Sequence, residues 1–548
     1  MKAMYQGVNN SPETILTADI TSSATTIPLA SIANLPPAPN LCTLGEGDDA
    51  EVVRYNGVSG QSLTSVERGF GGTTAKAWTK NTVAARCYTK YDHETFIDNI
   101  KELQGSVKRY GVKFTGSVSK GERLFDALGL TAAVGTDEDG AENDFDYIEP
   151  WASIRRCNTA VIGGERVPTF FEGEVGYSNT AADVFVYVPL FFYHRSDDDS
   201  EHVVSMTPLD GFRAPAKFRK ADGTLRDHVF LSAYTIGMND GVPVSRSGFK
   251  TYGTSLNAFM STCTAKHTSE DLDADLWIEG MKDDEIRNIL MDIEFATRDH
   301  QTYMMGACNM RYASDTATGG GTNQIMLDAT VATKFVVGQT IAIGTTDKGG
   351  EKEPSGVITS IDDTTGVILF TPSGDDVTVE VGNYISSRPW KSGSCDGVKS
   401  RSGSPHDNTS GLYPCVWRGC ENPWGNAYHW KWDFLKNDDQ GYVLDDPKNY
   451  AASIGAHHTA LSYKVATSNG YATEMGFDPA FPYARVTKAI GGGSTTYFAD
   501  YYYYASGVRA LLVGGYVNSG RADGARYCYV RYAPSNSGWD CCAALSPA

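Results

Sequence analysis

The residues best suited to molecular recognition are concentrated in the last sixty positions of the chain, 489–548. Nine of the thirty tyrosines lie in this window with four arginines and three aspartates, but it has no lysine and no glutamate. Tyr supplies a large, stiff contact area with a polar tip, Ser, Gly and Asn adapt their hydrogen bonds, and Arg anchors charged groups. The composition therefore predicts a ligand-binding surface. A tyrosine-rich edge of the core is the alternative interpretation.

Four consecutive tyrosines, Tyr501 to Tyr504, favour the binding surface. Neighbouring side chains on an extended strand point to opposite faces, so the four cannot all be buried on one side. We therefore expect that changing Tyr503, Tyr529 and Tyr532 to alanine would cost only about 1–2 kcal/mol of stability. The predicted ligand-binding residues are Tyr501, Tyr502, Tyr503, Tyr504, Tyr516, Asn518, Ser519, Arg521, Asp523, Tyr529, Arg531, Tyr532, Ser537, Trp539 and Asp540.

The segment from Arg509 to Gly520, RALLVGGYVNSG, is followed by PSNSGW at 534–539 and a short apolar end. This pattern resembles the variable region of proteins diversified by retroelements, the major-tropism-determinant-like group. The resemblance implies a receptor-binding protein with a C-type-lectin-like fold. It also implies that residues such as Tyr516, Arg521 and Tyr532 arise by mutation of template adenines.

A second motif, ENPWGN at 421–426 with Trp430, resembles an element of the same fold that formylglycine-generating enzymes share. Its tryptophans are expected to fill the core, while its asparagines satisfy backbone groups in turns. A metal or sugar site on Glu421, Asn426 and Asp433 is the alternative. The predicted structural residues are Glu421, Asn422, Trp424, Gly425, Asn426, Trp430, Gly514 and Gly515.

An enzyme is the rival class for this chain. The formylglycine-generating enzymes use a reactive cysteine pair after a Gly-Gly pair, but Ser519 and Gly524 fill the matching positions here. A thiolate is the nucleophile and metal ligand in that chemistry, and serine cannot replace it. The nearby Cys528, Cys541 and Cys542 are out of register and are expected to be buried. The sequence predicts no catalytic residue and no cofactor or metal, and leaves Ca²⁺ dependence open.

The acidic runs at 197–201 and 271–275 are expected to be solvated loops. The net charge of −19 argues against a nucleic-acid partner, which needs a basic face. The longest apolar run, 184–193, has ten residues and contains Pro189, so membrane insertion is not expected. Eleven cysteines without zinc-type spacing favour free thiols made in a reducing bacterial cytoplasm.

The order of strand-like and helical segments predicts an α+β, β-rich protein of about three domains. The spacing of apolar residues from 286 to 295 predicts a helix over 283–297 with one apolar side. Residues 1–90 are predicted to form a β attachment module, and 91–111 a helical linker. In that linker Phe96, Ile100, Leu103 and Val107 have coiled-coil spacing, which predicts a short trimeric coiled coil, with a lone amphipathic helix as the alternative. Residues 112–548 are assigned to the lectin-like receptor-binding domain, with an inserted β module at 322–388 and the variable region at 489–548.

The resemblance to retroelement-diversified proteins implies a phage tail fibre or receptor-binding protein in the virion, at the tail tip. Its expected partners are a host-cell surface receptor, protein or glycan, and other phage tail or baseplate proteins, and a homotrimer is expected. A bacterial surface adhesin with the same variable domain is one alternative, although the first residues, MKAMYQGVNNSPET, have no apolar signal segment. An enzyme of the formylglycine-generating type is the other alternative, disfavoured because the cysteine pair is absent.

Overall fold

The computed structural model describes residues 2–269, 275–304, 314–347 and 349–547. The chain divides into two compact units, the first ending at Val107 and the second beginning at Lys108. Helices take up 13% of the chain and strands 37%, so the predicted α+β, β-rich class is confirmed. The single-turn 3-10 helices are Gly47–Asp49, Phe70–Gly72, Asp144–Tyr147, Trp151–Ser153, Ala216–Phe218, Pro447–Asn449 and Gly520–Ala522.

The first unit contains an antiparallel sheet with the strand order β1-β6-β3-β4-β5-β2. Alternate residues of a strand share a face, so Val53 and Tyr55 point together into the core beside Leu44 and Leu63. Glu51 is buried in this unit, where its carboxylate binds Arg68 at 2.8 Å. The strands are β1 Thr14–Ile15, β2 Ile27–Pro28, β3 Asn40–Leu44, β4 Glu51–Ser59, β5 Ser62–Glu67 and β6 Val83–Ala85.

Helix α1, Lys90–Ser106, closes the first unit. The Asp92 carboxylate lies in its first turn, where it accepts the Thr89 backbone N–H at 2.9 Å and pairs with Arg86 at 2.8 Å. Phe96 and Ile100 are 51% and 37% exposed. The predicted linker extends to residue 111, whereas the helix ends at Ser106 and a strand of the second unit begins at Tyr110. The prediction that this helix forms a trimeric coiled coil remains untested.

The second unit begins with two four-stranded sheets, ordered β10-β9-β11-β14 and β12-β13-β7-β8. The apolar run at 184–193 is not one strand, since it is divided after Pro189 between two sheets. These strands are β7 Tyr110–Lys113, β8 Glu122–Phe125, β9 Arg155–Ile162, β10 Glu165–Phe171, β11 Phe185–Pro189, β12 Phe192–Arg195, β13 Glu201–Ser205 and β14 His228–Ser232, followed by the hairpin β15 Gly237–Asn239 and β16 Val242–Val244.

Helices α2, Leu256–Ser269, and α3, Met281–Phe295, flank strand β17, Leu276–Ile278, and α4, His300–Met304, follows. Helix α3 begins two residues before its predicted start, with Gly280 as the N-cap. The Asp283 carboxylate accepts the Gly280 N–H at 3.0 Å. The helix ends where Ala296 adopts a left-handed backbone conformation. Its apolar stripe packs into the main core of the unit, as the spacing predicts.

The β module forms a seven-stranded sheet, ordered β18-β24-β21-β22-β23-β20-β19, with its own apolar core. The sheet begins before the predicted boundary at Thr322, since β18 and β19 precede that residue. The elements are β18 Ser314–Thr316, β19 Gly319–Gly321, β20 Gln324–Met326, α5 Ala329–Ala332, β21 Thr340–Thr346, β22 Gly349–Asp362, β23 Val367–Thr371 and β24 Tyr384–Ser387.

A nine-stranded sheet carries the C-terminal tyrosines, in the order β30-β29-β28-β34-β35-β33-β31-β32 with β36 alongside β28. Before it lies the small sheet β25 Ser402–Gly403, β26 Val416–Trp417 and β27 Cys420–Glu421. The large sheet contains β28 Tyr428–Asn437, β29 Gln440–Val443, β30 Thr459–Lys464, β31 Gly470–Met475, β32 Thr487–Ile490, β33 Tyr501–Tyr504, β34 Val508–Gly514, β35 Gly524–Val530 and β36 Cys541–Cys542. Strand β37, Leu545–Pro547, pairs with β17.

Candidate binding surface

The four consecutive tyrosines form strand β33 and divide between its two faces. This strand lies between β31 and β35, with Tyr501 opposite Tyr471 and Tyr503 opposite Tyr529. Tyr501 and Tyr503 are half-buried on one face, and their rings lie 4.6 Å apart between centroids. The alternation predicted from the sequence therefore places two of the four side chains on a partly exposed face.

Ring contacts extend from this pair in both directions across the sheet. Tyr501 meets Tyr471 at 4.9 Å, and Tyr503 meets Tyr529 at 5.5 Å. Such separations suit edge-to-face and offset aromatic pairs. Tyr527 also contacts this set but is fully buried. We call the other connected rings the aromatic strip, and its members are Tyr471, Tyr501, Tyr503, Tyr529, Tyr532, Tyr428, Tyr516 and Trp539.

Two arginines lie beside rings of the aromatic strip, and one of them, Arg531, is exposed. The exposed Arg531 guanidinium lies 6.0 Å from the Tyr503 ring centroid and 5.9 Å from that of Tyr529. Arg388, which follows the β module, lies 4.6 Å from the Trp539 ring. Partly exposed aromatic rings beside guanidinium groups are characteristic of protein binding sites. The strip is therefore a physically suitable contact surface.

Most of the predicted binding residues are accessible to some degree. Tyr516, Asn518 and Ser519 form one turn, in which the Tyr516 N–H donates to Ser519 Oγ at 3.3 Å and the Asn518 amide donates to the Tyr516 hydroxyl. Arg521 is exposed, but it turns toward Asp299, 3.4 Å away. The exposed predicted residues are Asn518, Arg521, Arg531 and Ser537, and the half-buried ones are Tyr501, Tyr503, Tyr504, Tyr516, Ser519, Tyr532, Trp539 and Asp540.

Tyr502 was predicted to bind ligand, and the structure contradicts this. The side chain is fully buried, and its hydroxyl donates to the Ala466 carbonyl at 2.8 Å. It belongs to the core cluster on the face opposite Tyr501 and Tyr503. Tyr504 shares that opposite face, where Lys436 lies 4.2 Å from its ring. Both residues are therefore outside the aromatic strip.

Asp523 and Tyr529 are also more buried than predicted. Asp523 is 1% exposed, and burial raises the pKa of its carboxyl group well above the usual range. Tyr529 is on the aromatic strip but only 9% exposed. Truncating such a side chain costs roughly 3–5 kcal/mol. For the triple change that includes Tyr529 we therefore expect a larger stability loss than the roughly 1–2 kcal/mol that the sequence alone suggests.

A buried ionic network holds β35, the central strand of the strip, against helix α3. Arg526 donates two hydrogen bonds to the Asp292 carboxylate, and the bond from Nη1 is 2.9 Å long. The Asp292 carboxylate also lies 3.0 Å from His202 and from His300, and all three side chains are fully buried. Sequence reasoning missed this network. The signal was present in α3, where Asp292 and Glu294 interrupt an otherwise apolar run.

The network also includes one residue of a predicted solvated loop. Asp199, from the acidic run at 197–201, is 1% exposed and lies 3.1 Å from His202. Its polar neighbours, His202 foremost and then Arg485 and Arg195, hold the pKa of Asp199 well below its usual range despite its burial. Asp199 is therefore a core residue. Of the other acidic run, residues 271–274 lie outside the described residues.

The predicted structural motif is buried and holds its neighbours in place. Glu421 accepts the backbone N–H groups of Gly393 and Cys395 at 3.1 Å. The Asn426 side chain accepts the Trp390 N–H at 2.7 Å, and Asn422 accepts that of Cys415. Trp424 and Trp430 are fully buried in the core. These contacts fit the expected structural role.

The alternative metal or sugar site at this motif is less well supported by the contacts. Burial raises the pKa of Glu421 and of Asp433 to about 7, so both carboxyl groups are partly protonated near neutrality. Asp433 accepts the Met281 N–H at 2.8 Å, whereas Asn426 bonds the backbone of Trp390. The three side chains therefore form hydrogen bonds to the backbones of different segments.

Gly514 and Gly515 both have positive φ values, 84° and 77°, at the end of strand β34. A side chain at Gly515 would collide with the Asp523 carboxylate. Because only glycine adopts this conformation without a steric cost, the pair allows the chain to turn closely past Asp523. Gly425, at a φ of 82°, turns the chain within the structural motif.

The cysteines near the C-terminus are buried thiols. Cys528, Cys541 and Cys542 are at most 2% exposed. Burial raises the pKa of Cys528 to about 12 and those of the other two still further. A protonated, inaccessible thiol is a poor nucleophile. Across the described residues, no three His, Cys, Asp or Glu side chains are grouped so as to hold a metal ion.

No protein-family model matches this chain, and no curated protein matches it significantly. Within the described part of the chain, no helix has both the length and the apolar character needed to span a membrane.

Proposed function

We propose that this protein is a phage tail receptor-binding protein that contacts the surface of its host cell through the aromatic strip. One observation carries the proposal: rings from four strands and the segment after β35 form a connected, partly exposed surface with Arg531 beside it. Tyr and Trp contribute large contact area with little loss of rotamer entropy, and Arg adds charge-assisted hydrogen bonds. The ligand of such a surface is a protein or a glycan.

The proposal includes a C-type-lectin-like fold for the second unit. It rests on the resemblance of the motif at 421–426 and on the buried positions of Trp424 and Trp430. In this proposal the buried ionic network around Asp292 keeps the sheet rigid, so residues of the strip can change without loss of the fold. Rigid presentation reduces the entropic cost of binding. We propose that a retroelement diversifies the exposed positions.

The proposed role is binding without catalysis. The high pKa values of the buried thiols support this, because the enzyme that the fold resemblance suggests requires an accessible thiolate. We further propose that the protein is a trimer within the tail tip, bound to other tail or baseplate proteins. Several copies on one virion would raise the apparent affinity of individually modest sites.

Sequencing the 3′ end of the gene in a phage population, with the DNA downstream, tests this proposal. We expect a near-copy of the 3′ end beside a reverse-transcriptase gene. Variant codons should fall at exposed or half-buried positions such as Tyr501, Tyr503 and Arg531, and should spare the buried Tyr502 and Tyr527. Variants spread evenly over the gene, or concentrated at the two buried positions, would contradict the proposal.

A further inference from the structure

A cavity of about 280 Å³ in the second unit is lined by four arginines. Arg155 and Arg156 begin strand β9, Arg401 precedes β25, and Arg418 follows β26. Glu172 and Asp396 are its acidic lining residues. We call this cavity the arginine pocket. It shares no lining residue with the aromatic strip.

Two of the four arginines have close carboxylate partners. Arg418 is fully buried, 2.8 Å from Glu294 and 3.0 Å from Asp146. Arg156 is 3% exposed, and its Nη1 lies 2.5 Å from Asp396. Its Nη2 is buried and has no hydrogen-bond partner among the described residues. One guanidinium donor at the pocket thus remains unsatisfied.

The other two arginines are poorly neutralised. Arg155 is exposed and stacks on Phe171 at 3.8 Å, and within the described ranges it forms no ion pair. Arg401 is 3.8 Å from Asp146, a carboxylate that lies closer to Arg418. Burial and then the charge of Arg418 lower the pKa of Arg401. The lining thus contains four guanidinium groups and two carboxylates, although Asp146 and Glu294, which lie outside the lining, offset part of this charge.

We propose that the arginine pocket binds a small molecule bearing a phosphate or carboxylate group. A planar guanidinium presents a fork of N–H donors that matches the oxygens of both groups. The exposed guanidinium of Arg155, which has no ion-pair partner among the described residues, favours an anion, and the volume accommodates a ligand of about monosaccharide size.

Calorimetric titration at constant ionic strength tests the proposal, with inorganic phosphate as one probe and citrate as the other. The full chain should bind at least one of them saturably at a single site. Binding of phosphate alone identifies a phosphate ligand, and binding of citrate alone a carboxylate. Removing one charge-assisted contact costs about 1.5–3 kcal/mol, so Arg155→Ala should weaken binding roughly tenfold or more. Arg155→Lys keeps the positive charge but lacks the fork of N–H donors, so its affinity should lie between those of the unaltered protein and Arg155→Ala.

Arg109→Ala is the matched control, because Arg109 is also exposed and stacks on a phenylalanine, Phe125, at 4.4 Å. This variant should bind the probe as the unaltered protein does. If neither anion binds saturably, or if Arg155→Ala and Arg109→Ala bind equally well, the proposal is overturned. The aromatic strip is unaffected by either result.

Discussion

Replacing Asp292 with alanine is expected to lower the free energy of unfolding by roughly 3–5 kcal/mol, as happens when one partner of a buried ion pair is removed. The carboxylate is fully buried and serves Arg526, His202 and His300 at once. Without this carboxylate, the Arg526 guanidinium would remain buried but would lose its main ion-pair partner. Urea denaturation followed by circular dichroism measures the loss.

Glu474→Ala is the control for this change. Glu474 lies on β31 in the large sheet and pairs with Lys488 at 2.6 Å, but both side chains are almost half exposed. An exposed ion pair contributes only about 0–1 kcal/mol, so its removal should hardly move the denaturation midpoint. Equal losses from the two substitutions would mean that the network around Asp292 does not stabilise the strip.

Changing Tyr501 and Tyr503 together to alanine is expected to weaken binding to host cells by about 100-fold or more, since each central aromatic contact is worth 2 kcal/mol or more at a binding hot spot. The two rings occupy the middle of the aromatic strip and are half-buried in the free protein. Titration of fluorescently labelled protein onto cells of a susceptible strain gives the apparent affinity.

Tyr504→Ala provides a matched control on the same strand. Tyr504 is also half-buried, but it faces Lys436 on the other side of the sheet. We expect this variant to bind cells almost as the unaltered protein does, with a comparable change in thermal stability for each ring removed. If the double variant is folded and binds cells normally, the aromatic strip is not the binding surface. The same conclusion would follow if Tyr504→Ala weakened binding to cells as much as the double change does.

Periodicity in the sequence predicts some of the local elements. The apolar spacing of 286–293 identifies helix α3, although its first turn depends on Gly280 and Asp283 in a way that periodicity does not encode. The alternation within Tyr501–Tyr504 predicts two faces, but cannot say which face is buried. That choice depends on the parallel pairing of β33 with β35, which brings Cys528 beside Tyr502.

Burial of charged residues could not be predicted from composition. Asp199 and Asp523 lie in polar segments that are typical of solvated loops, yet both are buried. Asp199 is stabilised in part by cations from distant segments, among them Arg298 and Arg526. Such long-range compensation leaves no local pattern in the sequence. The same holds for the arginine pocket, whose members come from three separate segments.

Hydroxyl-radical footprinting of the protein with and without envelope fragments from a strain that it binds tests the central claim most directly. We predict that oxidation of Tyr501, Tyr503, Tyr532 and Trp539 falls when the fragments are present. Tyr147, which is 84% exposed and outside the strip, should be oxidised equally in both samples. Unchanged oxidation of the strip, with protection appearing elsewhere on the chain, would contradict the claim that these aromatic rings contact the host.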